Sequence, residues 1–338
     1  MRAYTIEAGN KEDDLKQVDV RSRALGPRDV RVSIRAAALN YRDIQVGRGS
    51  YDNAGGKPII PLSDGSGEVI EIGASVGRFA VGDRVLTTFF PSWIDGPISA
   101  EKTAAHYGAN SEGILAQESV FDEDALAHAP STLNDGEAAT LVCAGVTAWN
   151  ALFVQGAARP GQRILILGTG GVAIWSLQLA VAAGLDPIVT SSSDEKLTVA
   201  RSTGARDLIN YQTTPEWQDE VARITGGQGV DLVLEVGGEN TLPRSIASTK
   251  AGGKVIVIGG LSGFSGASIE PHSLIVGART LAAVMVGSRS MLEDLGRFVD
   301  RTGIKPVIAR EFAFDETKAA YDFLEAGRAL GKVVIRVG

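Results

Sequence analysis

The feature that most constrains this chain is a short apolar strand that runs directly into a glycine-rich turn. Residues 164–167 are all aliphatic, and Gly168-Thr169-Gly170-Gly171-Val172-Ala173 follows them in the pattern G-x-G-x-x-A. Beyond the turn, apolar residues recur at spacings of three and four, at Val172, Trp175, Leu179 and Ala183. This spacing predicts a helix with one apolar face. A glycine pattern of this kind between a strand and a helix predicts a dinucleotide-binding site.

Each position of the turn has a physical role in that prediction. Gly168 allows the tight turn, Gly170 lets the backbone approach a pyrophosphate, and Ala173 keeps the helix close to the sheet. The helix that begins at Gly171 and Val172 offers free N–H groups and a positive dipole to the phosphates, with Thr169 inside the same loop. The alternative is a glycine turn that serves packing alone.

The segments after this turn alternate between strand-like and helix-like patterns. The predicted strands are 163–167, 187–190, 207–210, 230–236, 254–258 and 280–286, and a helical pattern then runs to Arg301. Strands that alternate with helices imply βαβ units and a parallel sheet. The predicted fold class is therefore α/β, with a doubly wound Rossmann sheet.

The first third of the chain has a different rhythm. Residues 30–34 alternate apolar and polar side chains, as in a half-buried strand, and glycines punctuate residues 62–87. This pattern predicts tight turns and bulges in a rolled antiparallel sheet. The strand 332–337 has no place in the nucleotide sheet, so we expect it to return to this β-rich domain. The predicted domains are 1–131 with 287–338, and 132–286.

Composition narrows the function classes. The net charge of −7 lacks the basic footprint of a nucleic-acid-binding protein. A single cysteine, Cys143, excludes internal disulfides and fits a reducing compartment. The N-terminus lacks the apolar core of a signal peptide, and no apolar run reaches the roughly 18 residues of a membrane helix. We expect a cytoplasmic protein with no membrane and no nucleic-acid partner.

The residue that ends the second strand of such a sheet separates NAD from NADP. An acidic side chain there binds the ribose 2′-hydroxyl and repels a 2′-phosphate. Here the strand 187–190 is followed by Ser191-Ser192-Ser193, which are neutral donors. Asp194 comes next, but it directly precedes a helical pattern and is predicted to be its N-cap.

Two further side chains are candidates for binding the 2′-phosphate. Lys196 can reach back toward it, and Tyr211, after the third strand, can offer its hydroxyl. The sequence therefore favours NADPH, with NADH as the alternative. A solvent-exposed helix lysine is the alternative interpretation of Lys196.

Taken together, these segments resemble the medium-chain dehydrogenase/reductase superfamily, in its quinone-oxidoreductase-like and zinc-free alcohol-dehydrogenase-like branches. The resemblance covers nearly the whole chain. Its motifs, in order, are DVRVSIRAAALNYRD (29–43), GEVIEIG…VGDRV (67–85), CAGVTAWNAL (143–152), GTGGV (168–172), SSSDEK (191–196), INY (209–211), GGQGVDLVLEVGG (226–238) and the closing GKVVIRV. The resemblance implies a GroES-like β-rich catalytic domain split around a Rossmann domain.

The resemblance also bears on zinc. Zinc-dependent members use a Cys, a His-Glu pair and a second Cys, and these positions hold Asn40, Ser63-Asp64 and Cys143. A catalytic zinc needs three protein ligands of the thiolate, imidazole or carboxylate type. Asn and Ser are poor substitutes, and one cysteine excludes the family's four-cysteine structural site. We therefore expect no zinc.

The resemblance implies that the nicotinamide lies in an interdomain cleft near Thr147. Asn40 is then a candidate oxyanion or carboxamide donor, and Tyr41 a hydrogen-bond or proton donor. Asp43 is a third catalytic candidate, with a structural role as the alternative; Ser63 and Tyr51 are weaker candidates. Further cofactor contacts are expected at Val236, Gly237, Gly259, Gly260 and Arg289, the last with a surface arginine as its alternative.

Three functions are compatible with these sequence features. The first is an NADPH-dependent reductase of a quinone or an α,β-unsaturated carbonyl; the second is a zinc-free alcohol dehydrogenase or aldehyde/ketone reductase. The third is a cofactor-binding protein without significant turnover. The aromatic segment 89–118 is either a lid over an apolar pocket or a packed surface loop. The apolar strand 280–286 is expected to be a sheet edge that pairs in a homodimer.

Overall fold

A computed structural model of the chain describes residues 1–7, 15–51, 57–263, 265–266 and 268–338. These residues form two compact units, one of residues 1–146 with 286–338 and one of residues 147–285. The domains predicted from the sequence were 1–131 with 287–338, and 132–286, so the first division of the structure lies at 146/147 where the prediction has 131/132.

The reason lies in residues 132–146, which pack on the β-rich unit. Asp135 begins helix α2 (Asp135–Ala139), and its carboxylate accepts hydrogen bonds from Ser66 Oγ at 3.1 Å and Arg84 Nη2 at 2.9 Å. Both donors lie on strands of the β-rich unit. A side-chain contact between distant segments leaves no signal in a local sequence pattern, so the boundary was not predictable from periodicity.

The β-rich unit is a seven-stranded sheet with a two-stranded hairpin. The hairpin pairs β1 (Arg2–Thr5) with β2 (Lys16–Asp19). The sheet has the order β14-β15-β3-β4-β5-β7, with β6 paired to β3. Its strands are β3 (Asp29–Leu39), β4 (Asp64–Ile72), β5 (Arg84–Thr87), β6 (Glu118–Asp122), β7 (Leu126–His128), β14 (Ile308–Ala313) and β15 (Lys332–Arg336). Its other helices are α1 (Tyr41–Gly47), α9 (Arg289–Thr302) and α10 (Thr317–Glu325).

The apolar residues that alternate along 30–34 form the inner face of β3. Val30, Val32 and Ile34 are buried in the core of this unit. The β3–β4 register shifts twice, as expected of bulges in a curled sheet. Gly67 shows why glycine is needed there, since a Cβ would lie 2.2 Å from the carbonyl oxygen of Ser33.

The second unit is a six-stranded parallel sheet of order β10-β9-β8-β11-β12-β13. Its strands are β8 (Arg163–Leu167), β9 (Asp186–Ser191), β10 (Asp207–Asn210), β11 (Val230–Glu235), β12 (Thr249–Val257) and β13 (Thr280–Ala283). Its helices are α3 (Val146–Trp149, which begins at the boundary), α4 (Gly171–Ala182), α5 (Asp194–Ser202), α6 (Trp217–Ile224), α7 (Leu242–Ala247) and α8 (Pro271–Gly277). The strand order reverses at β8, as in a doubly wound Rossmann fold, so the predicted fold class is confirmed.

Two predicted strands differ from the observed ones by three residues or more at one end. β12 begins at Thr249, earlier than predicted, because Val230 pairs with Thr249 across a register irregularity. β13 ends at Ala283 rather than at residue 286, after four pairs with β12. Val286 has φ 53°, outside the extended region, which is one reason that the strand does not continue to it.

The closing strand joins the β-rich unit, as the sequence predicted. β15 pairs antiparallel with β3, with Val333 opposite Leu39 and Arg336 opposite Ala36. On its other side it pairs parallel with β14. This pairing brings Lys332, near the end of the chain, beside residues that lie before α1. Among the described residues, none of the helices has the length and apolar content to cross a bilayer.

Candidate active site

The turn between β8 and α4 is built to leave its backbone open. Gly168 has φ 81°, a left-handed conformation that glycine adopts without strain. Gly170 is the N-cap of α4 and has no side-chain cap, so the first N–H groups of the helix have no side-chain acceptor at the cap. A Cβ at Gly170 would meet no atom within 4 Å. The helix N-terminus therefore faces open space, as an anion-binding site requires.

The end of the neighbouring strand β9 contacts this turn. The Gly168 amide lies 3.3 Å from Thr190 Oγ1, and the hydroxyls of Thr169 and Ser191 lie 3.0 Å apart. Thr169 and Ser191 are both buried. These contacts connect the turn to the end of β9, which is the position that separates NAD from NADP.

The residues predicted near the 2′-phosphate come together at the carboxyl ends of β9 and β10. Ser191 pairs with Asn210, and the amide of Tyr211 donates to the carbonyl oxygen of Ser191 at 3.0 Å. Ser192 is exposed and Lys196 half-buried. Tyr211 is 38% exposed, so its ring is available to a ligand at this edge.

Asp194 is not the N-cap of α5, as the sequence had predicted. Ser193 caps the helix, and its hydroxyl accepts from the Lys196 amide at 3.4 Å. Asp194 is the first helical residue, and its carboxylate accepts from Asn210 Nδ2 at 2.7 Å. Serine and aspartate are both good N-caps, so composition alone did not decide between adjacent positions.

A buried carboxylate that the sequence analysis did not single out organises the loop after β11. Glu235 is fully buried. One of its oxygens accepts from the amides of Gly237 at 2.6 Å and Gly238 at 3.1 Å and from Thr241 Oγ1 at 2.7 Å, and the other accepts from the Ser245 hydroxyl. These donors fix the backbone that follows Val236. The sequence signal was an acidic residue in an otherwise apolar strand.

The loops after β11 and β12 pack backbone against backbone. Gly238 has φ 94°, and a Cβ there would lie 2.3 Å from the carbonyl oxygen of Gly263 and 2.7 Å from Gly260 Cα. The Ser262 hydroxyl donates to the carbonyl oxygen of Gly237 at 2.7 Å. Val236, Gly237, Gly259 and Gly260 thus lie at the carboxyl edge of the sheet, where a dinucleotide binds in this fold.

Thr147, predicted to contact the nicotinamide, is buried in α3. Two wider π-helical turns flank this helix, Leu141–Gly145 before it and Asn150–Gln155 after it. π-helical turns are rare and occur frequently at functional sites. Val172, in the first turn of α4, is half-buried.

In the β-rich unit, α1 carries the predicted catalytic residues. Tyr41 is 42% exposed. Asp43 instead caps its own helix, because its Oδ2 accepts from the Asn40 amide at 2.7 Å. Burial raises the pKa of Asp43 to about 6, and Arg42 opposes that rise. The contacts of Asp43 favour the structural role that the sequence analysis had kept as the alternative.

Arg42 is a buried guanidinium between two aromatic rings. Its Cζ lies 5.0 Å from the centre of the Tyr51 ring and 4.9 Å from that of Phe89, and its Nη1 donates to the carbonyl oxygen of Tyr107 at 2.7 Å. Desolvation raises the pKa of Tyr51. Phe89, Phe90 and Trp93 are buried within this unit, so the start of the segment 89–118 is packed core.

A second polar cluster joins three distant parts of the β-rich unit. Lys332 Nζ donates to Asn40 Oδ1 at 2.6 Å, to the carbonyl oxygen of Leu39 at 2.8 Å and to Asp64 Oδ2 at 3.2 Å. Asp64 also accepts from Ser63 Oγ at 2.8 Å and from the Cys143 amide at 3.3 Å. Desolvation raises the pKa of the Cys143 thiol, as expected of an unreactive cysteine. Sequence reasoning missed Lys332, since nothing local marks it.

Arg289 has contacts other than those predicted for it. Its Nη1 donates to Asp124 Oδ1 at 2.7 Å and to the Asp124 carbonyl at 3.1 Å, and Glu293 lies 3.4 Å from its Nε. These partners lie in the β-rich unit and neutralise the guanidinium. These contacts hold Arg289 at the start of α9; a contact of Arg289 with the cofactor stays a prediction.

The residues at the positions of the zinc ligands of zinc-dependent members do not fit the metal. Asn40 and Ser63 supply neutral oxygens, and the ammonium of Lys332 lies between Asn40 and Asp64. Within the described parts of the chain, His, Cys, Asp and Glu side chains nowhere form a group of three or more that could hold a metal ion. A catalytic zinc needs three such ligands.

Comparison with known proteins follows the same division of the chain. Residues 26–131 match the family model of the alcohol dehydrogenase GroES-like domain, and residues 171–301 match that of the zinc-binding dehydrogenase. A zinc-type alcohol dehydrogenase-like protein of Schizosaccharomyces pombe is 39% identical over 320 residues, which cover 93% of this chain and 92% of the relative. The chain belongs to the medium-chain dehydrogenase/reductase superfamily.

Other members of the superfamily extend the comparison. A quinone oxidoreductase of Pseudomonas aeruginosa is 31% identical over 92% of this chain and 91% of its own length. A crystal structure described as an NAD-dependent alcohol dehydrogenase superposes with a TM-score of 0.91 at 31% identity, over 100% of both chains. This member of the medium-chain dehydrogenase/reductase superfamily is an NAD(P)H-dependent oxidoreductase.

Proposed function

We propose that the protein is an NADPH-dependent, zinc-independent reductase that transfers a hydride to a quinone or an α,β-unsaturated carbonyl compound. One observation carries the proposal: the uncapped α4 N-terminus beside open space at Gly170, next to a β9 end that presents Ser191 instead of a carboxylate. The first feature suits a diphosphate. The second leaves room for a 2′-phosphate without charge repulsion.

The preference for NADPH rests on the chemistry at the end of β9. Asp194, the nearest acid, is held by Asn210 in the first turn of α5, where the helix dipole also stabilises its charge. Ser191, Ser192, Lys196 and Tyr211 are the proposed contacts of the 2′-phosphate. The similar NAD-dependent alcohol dehydrogenase is the reason that NADH must be tested beside NADPH.

Hydride transfer without a metal depends on positioning and on hydrogen bonds to the developing oxyanion. The reduced nicotinamide supplies the hydride, and the substrate takes up one proton to complete the reduction. Asn40 Nδ2 is buried and has no partner among the described residues, so it can donate to the substrate oxygen. Tyr41 is the candidate proton donor, since its ring is exposed. An enone or quinone spreads the charge over a conjugated system, which reduces the need for a Lewis acid.

A zinc-free alcohol dehydrogenase or aldehyde/ketone reductase is the second candidate. The sequence identity of 39% to a zinc-type alcohol dehydrogenase-like protein favours it. A panel of enones, quinones and aldehydes with NADPH separates the two candidates by their ratio of kcat/KM. Binding of NADPH without turnover of any compound in the panel would support a cofactor-binding protein instead.

Replacement of Gly170 tests the cofactor site directly. The open space at Gly170 accepts a methyl group in the free protein, so Gly170→Ala should leave the melting temperature unchanged. The same methyl would occupy the proposed pyrophosphate space and should weaken NADPH binding by at least about tenfold. Gly77→Ala, also in open space but in the β-rich unit, is the matched control. Equal NADPH affinity of both variants would contradict the proposed site.

We also propose a homodimer through the outer edge of β13. This strand ends the sheet, and the same unit exposes the apolar side chains of Leu261 (60%), Ile275 (75%) and Val276 (70%). A strand at the end of a sheet, together with exposed apolar side chains in the same unit, favours association. Sedimentation velocity should show a dimer at micromolar concentration, and Ile275→Asp should shift it toward monomer. A wild-type monomer would contradict the proposal.

A further inference from the structure

The ammonium of Lys332 lies where the family resemblance places a metal site. Its side chain is 3% exposed, and that of Asp64, which it contacts at 3.2 Å, is 0% exposed. Its three N–H groups have three acceptors, the Leu39 carbonyl, Asn40 Oδ1 and Asp64 Oδ2. A lysine ammonium has three donors, so this one is fully satisfied.

The buried charges in this cluster and next to it form two ion pairs. Lys332 contacts Asp64, and Arg42 contacts Asp43 at 3.4 Å. A divalent cation placed among these groups would meet two buried cations and would add uncompensated charge in a region of low dielectric. The cluster is neutral as it stands, so it has no carboxylate left for a metal.

Lys332 also decides how the Asn40 carboxamide is oriented. An ammonium can only donate, so the amide must direct its oxygen to Nζ, and the 2.6 Å contact shows that it does. The nitrogen is then directed away from Lys332. Asn40 Nδ2 is buried without an acceptor among the described residues, which is costly unless a ligand supplies one.

We propose that the Lys332 ammonium replaces the catalytic metal of the superfamily: it neutralises Asp64 and holds Asn40 by its oxygen, so that Asn40 Nδ2 is the donor to the substrate carbonyl. Lys332 is thus a positioning residue, because it acts through Asn40. The role of Asn40 rests on the proposed function. The claim that Lys332 replaces the metal does not rest on the proposed function, because the charges and contacts that support it all lie within the β-rich unit.

The test uses the whole 338-residue chain with three substitutions, singly and in combination, and one matched control. Lys332→Met leaves Asp64 as an uncompensated buried carboxylate and should lower the melting temperature by about 10 °C. Asp64→Asn in the same chain removes that charge and should restore most of the loss. Asn40→Ala should lower kcat about 100-fold. Lys318→Met removes an exposed lysine paired with Asp322 in the same unit and is the matched control, with neither effect.

The kinetic readout separates positioning from stability. Lys332→Met should lower kcat about 10–100-fold, and the stability-restored double variant should keep that defect, because Asn40 Oδ1 still lacks its donor. Adding Lys332→Met to Asn40→Ala should cost little more than Asn40→Ala alone. Recovery of kcat in the double variant, or additive losses with Asn40→Ala, would overturn the positioning role.

Zinc content provides a readout that does not require turnover. Wild-type protein incubated with excess zinc and then desalted should retain well under one equivalent by elemental analysis. One bound equivalent of zinc, or an unchanged melting temperature in Lys332→Met, would overturn the replacement of the metal. An inactive wild-type protein would overturn the proposed function and the role of Asn40, while the thermal and zinc measurements would still decide the role of Lys332.

Discussion

Glu235 gives the most direct test of how this Rossmann unit holds the loop after β11, which we propose contacts the cofactor. The carboxylate is fully buried and makes no ion pair within the described part of the chain. It is stabilised by the amides of Gly237 and Gly238 and by two hydroxyls, those of Thr241 and Ser245. Two substitutions separate its shape from its charge, Glu235→Gln and Glu235→Leu.

The two variants should differ in how much they lower the free energy of unfolding. In Glu235→Gln the amide oxygen can accept from the two backbone amides, and the amide nitrogen can donate to the Ser245 hydroxyl, which can rotate to accept. The loss is then the difference between charged and neutral hydrogen bonds, about 1–2 kcal/mol. Glu235→Leu leaves the amides of Gly237 and Gly238 without an acceptor, at about 1–3 kcal/mol each, and should cost about 2–6 kcal/mol.

The assay is urea unfolding followed by tryptophan fluorescence, since Trp175 and Trp217 are both buried in this unit. NADPH affinity should fall in the same order as stability, because the carboxylate fixes the backbone after Val236. Glu220→Gln, which replaces a half-buried glutamate paired with the exposed Arg223, is the control and should change stability by less than about 0.5 kcal/mol. A leucine variant as stable as the glutamine variant would refute the reasoning.

Three further outcomes follow from the same structure. Burial raises the pKa of Asp43 from 3.8 to about 6, so between these values the folded protein holds a proton that the unfolded chain has released. The free energy of unfolding should therefore fall by up to about 3 kcal/mol as the pH rises from about 4 to about 6. Asp43→Asn should remove this pH dependence in urea titrations. Gly168→Ala should cost about 1–2 kcal/mol of stability, because its φ of 81° is strained for alanine; an unchanged unfolding midpoint would contradict this. Since desolvation raises the pKa of the Cys143 thiol, iodoacetamide should alkylate the native protein at least about tenfold more slowly than the urea-unfolded chain; equal rates would contradict an unreactive thiol.

Some features of the active site were predictable because they are local. The strand, the glycine turn and the helix at 163–182 lie next to one another in sequence, and their hydrogen bonds and φ values follow from nearby residue types. The contacts of Gly168 with Thr190 and of Thr169 with Ser191 were predictable for a similar reason, since consecutive parallel strands place their carboxyl ends at one edge. Where two good caps adjoin, at Ser193 and Asp194, local propensity chose the wrong residue.

The sequence by itself determined the fold class, the returning strand and the position of the glycine turn between β8 and α4, because each follows from a periodic or short-range pattern. Only the tertiary structure decided where residues 132–146 belong, that Asp43 and Arg289 are held by internal partners, and that Lys332 lies beside Asn40 and Asp64. Lys332 and Asn40 are 292 positions apart, and each is unremarkable in its own segment. A contact of that span depends on which strands pair and in what register, and register is a property of the whole sheet.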